Sequence, residues 1–78
     1  MFKLNPAVYG SVFALPSTVV DNYILLSSEL QLKVLLLIAR NSLTDSSASA
    51  LSKILHCNER DASDALEYWV SEGVLVDD

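Results

Sequence analysis

The chain has 78 residues, 51% of them hydrophobic, and carries a net charge of −5 with a pI near 4.5. This length allows one domain, and so apolar a composition excludes an intrinsically disordered chain. Ten acidic residues against five basic ones disfavour nucleic-acid binding, because that binding depends on lysine and arginine neutralising phosphates.

The chain has one cysteine, Cys57, which excludes an internal disulfide and favours a reducing compartment. The N-terminal residues lack the continuous apolar run of a signal peptide. The longest apolar run, residues 34–39, is too short to cross a bilayer. These features predict a soluble cytoplasmic protein without a membrane segment.

Residues 1–11 are predicted to form an irregular lead-in, because Pro6 and Gly10 interrupt an otherwise apolar segment. A lead-in this apolar either folds back on its own domain or packs on a neighbouring chain, and the second alternative predicts an oligomerisation arm. With a terminal strand at residues 74–76, it supplies the candidate protein interface: Phe2, Leu4, Val8, Tyr9, Val12, Phe13, Val74, Leu75 and Val76.

Residues 12–26 are predicted to form a short strand followed by a helix. The strand, residues 12–15, is stopped by Pro16. The first helix begins at Ser17 or Thr18, either of which can cap its first turn. Thr18 and Asp21 have the spacing of a capping box, and the apolar face ends near residue 26.

The second helix has the clearest start in the sequence. Ser28 and Gln31 have capping-box spacing, and an almost unbroken apolar run follows as far as residue 39. Apolar side chains around most of the circumference predict either a central helix or a helix that shares one face with another chain.

Two further helices follow the polar linker at residues 41–47. The third has an apolar face over residues 50–55 and ends in a turn at residues 56–58, where Asn58 can cap the fourth. The fourth helix carries a regular apolar stripe and is terminated by Gly73. The predicted core anchor joins this helix to the second through Trp69, Leu66 and Leu35.

The order β-α-α-α-α-β predicts a mainly α fold with a small β component. Two isolated strands need a partner, so residues 12–15 are predicted to pair with residues 74–76. The third and fourth helices have helix-turn-helix dimensions, and a strand after such a pair begins the wing of a winged helix. Residues 12–78 are therefore predicted to be a winged-helix domain with a truncated wing, and the abrupt end after residue 76 suggests a piece of a longer protein.

Three segments resemble the N-terminal winged-helix domain of DnaD-like replication initiation and primosome proteins of low-GC Gram-positive bacteria and their phages. These segments are residues 13–23, 29–36 and 65–75, and the pair Tyr68-Trp69 ahead of Gly73 is the most specific part. The resemblance implies self-association and contacts with other replication proteins in the cytoplasm. In the family, DNA binding is attributed mainly to a separate C-terminal domain outside these residues.

The outer face of the fourth helix would be the recognition face of a DNA-binding winged helix. It carries three carboxylates and one arginine, so it favours a degenerate recognition face reused for protein contacts, or a solvated face without a role, over a DNA reader. Its residues are Glu59, Arg60, Ser63, Asp64 and Glu67. We expect a homo-oligomer (a dimer or larger) that binds DNA weakly or not at all, with a DNA-binding transcription regulator as the alternative.

No residue pattern predicts an enzyme, a cofactor or a metal site. His56 and Cys57 are adjacent in a turn, and a zinc site needs more ligands at wider spacing. A cysteine nucleophile needs a histidine positioned from elsewhere in the fold. Asp61, Asp64 and Glu67 lie along one side of a helix and are interpreted as a solvated face.

Overall fold

The computed structural model describes residues 1–41 and 43–77, so Ser42 of the predicted linker and Asp78 lie outside it. Within these residues, a short 3-10 helix at Pro6–Val8 precedes four α-helices. The fold is mainly α, as predicted, and α4 packs against both α2 and α3. The four helices are α1 (Ser17–Tyr23), α2 (Glu29–Arg40), α3 (Ala48–Leu55) and α4 (Glu59–Ser71).

The core consists of two clusters, and α2 and α4 contribute to both. The first joins α2, α3 and α4, whereas the second joins α1, α2 and α4. Because α2 supplies adjacent residues to the two clusters, the prediction of a central second helix is confirmed. The buried residues are Val34, Leu51, Ala62 and Ala65 in the first cluster, and Val19, Leu35 and Trp69 in the second.

Trp69 fastens α4 to the start of α2. Its side chain is fully buried, and its indole Nε1–H donates to the backbone carbonyl of Gln31 at 2.7 Å. The rings of Tyr23 and Tyr68 stand edge-on to it, with centroids at 5.5 and 5.0 Å. The predicted anchor is confirmed for Trp69 and Leu35, while Leu66 is half-buried and packs against the first cluster.

Side-chain caps define the starts of the last three helices. The hydroxyl of Ser28 accepts from the backbone N–H of Gln31 at 3.1 Å, and the Gln31 side chain accepts from the Ser28 N–H at 2.7 Å. This confirms the predicted capping box. Asn58 caps α4 as predicted, and Ser47 caps α3.

The first helix begins at Ser17, as predicted, but its cap differs from the prediction. Pro16 holds the N-cap position without a side-chain bond, and the hydroxyl of Thr18 accepts from the Asn22 side chain at 2.7 Å, so no capping box forms. The helix ends at Tyr23 and not near residue 26. The Tyr23 carbonyl accepts from both the hydroxyl and the N–H of Ser27, which closes the helix in a turn.

The predicted β component is wrong for the residues that the structure describes, because neither residues 12–15 nor residues 74–76 form a strand. Gly73 adopts a left-handed conformation with φ +76° and turns the chain at the end of α4. The N–H groups of Val74 and Leu75 then donate to the Trp69 carbonyl at 2.9 and 3.1 Å. These amides complete a Schellman-type helix end and are not available to a β-ladder.

The two segments nevertheless approach the same part of the core. Leu15 packs against the second cluster, and so do Val74 and Leu75. Both segments are therefore held near Trp69 by the packing of three partly buried aliphatic side chains, without strand pairing. The third and fourth helices are joined by a short turn, as predicted: residues 56–58 connect α3 to α4, and the two helices pack together.

Candidate protein-interaction surface

Residues 1–14 comprise the predicted lead-in and the three residues after it, and are hereafter called the arm. Every residue of the arm is exposed. Asn5 caps the single 3-10 turn, where its side chain accepts from the Ala7 N–H at 3.0 Å, and Gly10 adopts φ +41°. Local turns thus satisfy part of the backbone, while the apolar side chains remain in solvent. The exposed apolar side chains of the arm that belong to the predicted interface are Phe2, Leu4, Val8, Tyr9, Val12 and Phe13.

The exposed surface of the chain is larger than a compact monomer requires. A compact monomer of 8.5 kDa exposes about 4,700 Å², whereas this chain exposes 6050 Å². The excess, roughly 1,400 Å², is greater than the ~800 Å² that one partner contributes to a typical stable interface. The Cα radius of gyration of 13.4 Å also exceeds the about 11.5 Å expected for this length.

The end of α1 adds a second exposed apolar surface. Ile24, Leu25 and Leu26 follow the helix directly, and Leu25 is 93% exposed. On α1 itself, Val19 points into the core while Val20 remains exposed. The sequence pattern predicted an apolar helical face that extends to near residue 26. That assignment missed this surface because the helix ends at residue 23.

The outer face of α4 is acidic and solvated. Glu59, Arg60, Asp64 and Glu67 are exposed, and Ser63 is half-buried. In the part of the chain that the structure describes, the one salt bridge joins Lys33 to Glu29 on α2 at 2.8 Å. The Arg60 guanidinium therefore does not form an ion pair with the carboxylates of its own helix.

A groove of about 590 Å³ runs along α4 beside the C-terminal segment. Its lining combines aliphatic side chains with four serines and with Glu67 and Asp77. None of the described residues that line it is basic. We define the groove by its apolar residues: Ile38, Leu66, Val70, Leu75 and Val76.

The three C-terminal residues of the predicted interface differ in how exposed they are. Val74 and Leu75 are half-buried against the second cluster, and Leu75 also lines the groove. Val76 is 83% exposed. With their amides committed to Trp69, Val74 and Leu75 offer side chains and not an open strand edge as a contact surface.

The adjacent residues His56 and Cys57 form the turn between α3 and α4. His56 takes the left-handed position at the end of α3, with φ +55°, and Cys57 packs half-buried against the first cluster. Across residues 1–41 and 43–77, no three His, Cys, Asp or Glu side chains are grouped as metal ligands.

The side chains of Tyr68 and Asp45 have shifted pKa values because of contacts within the fold. Burial against its neighbours raises the pKa of the Tyr68 phenol, and the Glu72 carboxylate and Tyr23 add to this effect. Hydrogen bonds from the backbone N–H and the hydroxyl of Ser47 lower the pKa of Asp45. These groups stabilise the aromatic cluster and the entry to α3.

No known protein family, curated protein or solved structure matches this chain. Within the described residues, no helix has the length and apolar character needed to span a membrane.

Proposed function

We propose that this chain is a protein-interaction and oligomerisation module of a DnaD-like bacterial replication initiation protein, acting as a cytoplasmic scaffold within a primosome. The observation that supports the oligomerisation part is the arm, which has fourteen consecutive exposed residues and includes seven large apolar side chains. Surface of this kind is typical of a segment that a protein partner covers.

The replication part of the proposal is supported by the three sequence segments that resemble DnaD-like proteins. Two of them contain the residues that fasten α2 to α4, namely Gln31 and Trp69. In this proposal the α3–α4 pair is a winged-helix-type helix-turn-helix, and residues 74–76 hold the position of a wing strand without forming one. Surface plasmon resonance against purified bacterial replication initiation proteins tests the assignment.

The oligomerisation proposal is tested by light scattering coupled to size-exclusion chromatography over a dilution series. We expect the mass to fall from a dimer or larger species towards 8.5 kDa as concentration decreases. Leu4→Asp combined with Val8→Asp, hereafter the arm variant, places two charges in the contact and should remain monomeric at concentrations where the wild type assembles. A wild-type chain that stays monomeric at high concentration would contradict the proposal.

Leu25→Asp is the matched control for the arm variant. It introduces the same charge at an apolar position that is 93% exposed, outside the arm, so it should leave the assembly intact. Loss of assembly in Leu25→Asp alone would move the contact from the arm to the end of α1.

A further inference from the structure

We propose that the arm of one chain occupies the groove of a second copy. This inference rests on the proposed function, because it identifies the surface that receives the arm. An arm with an apolar sequence needs an apolar receptor, and the groove offers five aliphatic side chains along α4 and the C-terminal segment.

The charges of the two surfaces are complementary. Lys3 is the only charged side chain in residues 1–16, so the arm is positive. The lining of the groove includes Glu67 and Asp77, and no described residue lining it is basic. The rest of the chain holds all ten acidic residues against four basic ones. Complementary charge of this kind orients a partner more than it strengthens the contact.

The size and availability of the groove also suit this occupant. A volume of about 590 Å³ lies within the range of pockets that enclose a small ligand, roughly 300–1,000 Å³, and so admits a few arm side chains. The chain's own arm leaves the groove open, because every arm residue is exposed to solvent. If two copies exchange arms reciprocally, a closed two-fold dimer forms and both apolar surfaces are covered.

A complementation experiment tests the inference. Val70→Lys puts a charge at a groove position that is 42% exposed, so the substitution is compatible with folding. We expect it to raise the dimer dissociation constant about tenfold or more, the scale of losing one central contact. Ile54→Lys is the matched control: Ile54 is 44% exposed on α3 and does not line the groove. It should assemble as the wild type does.

Mixing the two defective chains gives the decisive measurement. The arm variant keeps an intact groove, and Val70→Lys keeps an intact arm, so a mixed dimer retains one intact arm–groove contact. Native mass spectrometry of the mixture should therefore show heterodimers at a concentration where each variant alone is monomeric. Circular dichroism of each variant confirms that its helices are retained.

Each other outcome identifies a different failure. If Val70→Lys assembles like the wild type while the arm variant does not, the arm binds elsewhere and this inference falls, but the oligomerisation proposal stands. If wild-type chains are monomeric throughout, both fall. If both single variants are monomeric and the mixture gives no heterodimer, arm and groove do not meet between copies and the inference is again overturned.

Discussion

Trp69 illustrates how one side chain determines the relation between two helices. Its ring fills the second cluster between α1, α2 and α4, and its N–H satisfies the Gln31 carbonyl one turn into α2. Gln31 also closes the capping box with Ser28 through its side chain. The start of α2 and its attachment to α4 therefore depend on the same residue.

Two substitutions separate the packing and hydrogen-bonding roles of Trp69. Trp69→Ala should lower the free energy of unfolding by about 3–5 kcal/mol, because it opens a cavity in the core. Trp69→Phe keeps much of the ring but removes the indole N–H that donates to the Gln31 carbonyl, and loss of that hydrogen bond should cost about 0.5–1.5 kcal/mol.

Urea denaturation followed by circular dichroism at one fixed protein concentration measures both values, since assembly would otherwise shift the midpoints. Ile54→Ala is the control, because its side chain is 44% exposed and should lose little. Equal stability of Trp69→Phe and the wild type would mean that the indole hydrogen bond contributes nothing to folding.

At the scale of elements, the helices differ in what starts them. Side chains cap α2, α3 and α4, so the sequence around each start specifies the boundary. Pro16 begins α1 without a side-chain bond, although Ser17 and Thr18 both have the chemistry of a cap. A hydroxyl at a plausible position is therefore insufficient unless the backbone places it in reach of the free amides.

The difference between these helix starts predicts unequal effects for two similar substitutions. Ser28→Ala should cost about 0.5–2 kcal/mol, because it removes the acceptor for the Gln31 N–H. Ser17→Ala removes the same hydroxyl where no side-chain cap exists, so its effect should stay within about 0.5 kcal/mol.

Midpoints of urea unfolding compare the two variants directly. A larger loss of unfolding free energy for Ser17→Ala than for Ser28→Ala would indicate that Ser17 caps α1. That result would contradict the observed start of α1, which has no side-chain cap.

For the whole molecule, the distribution of charge separates the proposed function from its rival. The net charge is −5, and the outer face of α4 presents Arg60 among Glu59, Asp64 and Glu67. A recognition helix must approach phosphates, and this face would repel them. The acidic outer face of α4, which a DNA-binding transcription regulator would use for recognition, therefore disfavours that function.

Fluorescence anisotropy with labelled duplex DNA at low salt measures the affinity of the chain for DNA directly. We expect a dissociation constant no tighter than the ~10⁻⁴ M of weak non-specific binding, and no further loss in Arg60→Ala. Tight, salt-sensitive binding that Arg60→Ala abolishes would favour the transcription regulator over the scaffold.

Features that depend on neighbours a few residues away could be predicted from the amino-acid sequence. Ser28 with Gln31, Asn58 ahead of α4 and Gly73 after it could all be identified because helix caps and helix hydrogen bonds join residues within one or two turns. The apolar stripe of α4 likewise placed Trp69 in the core, since helical periodicity is a local property.

Segments whose partners are distant in the chain could not be assigned from the sequence, because their conformation depends on three-dimensional packing. Residues 12–15 and 74–76 have strand-like composition, yet a strand exists only if another segment accepts its hydrogen bonds, and the Trp69 carbonyl takes the amides of Val74 and Leu75. The groove unites α2, α4 and the C-terminal segment, so no local pattern indicates it. The exposed arm follows from the same cause, because burial depends on which surfaces meet in three dimensions.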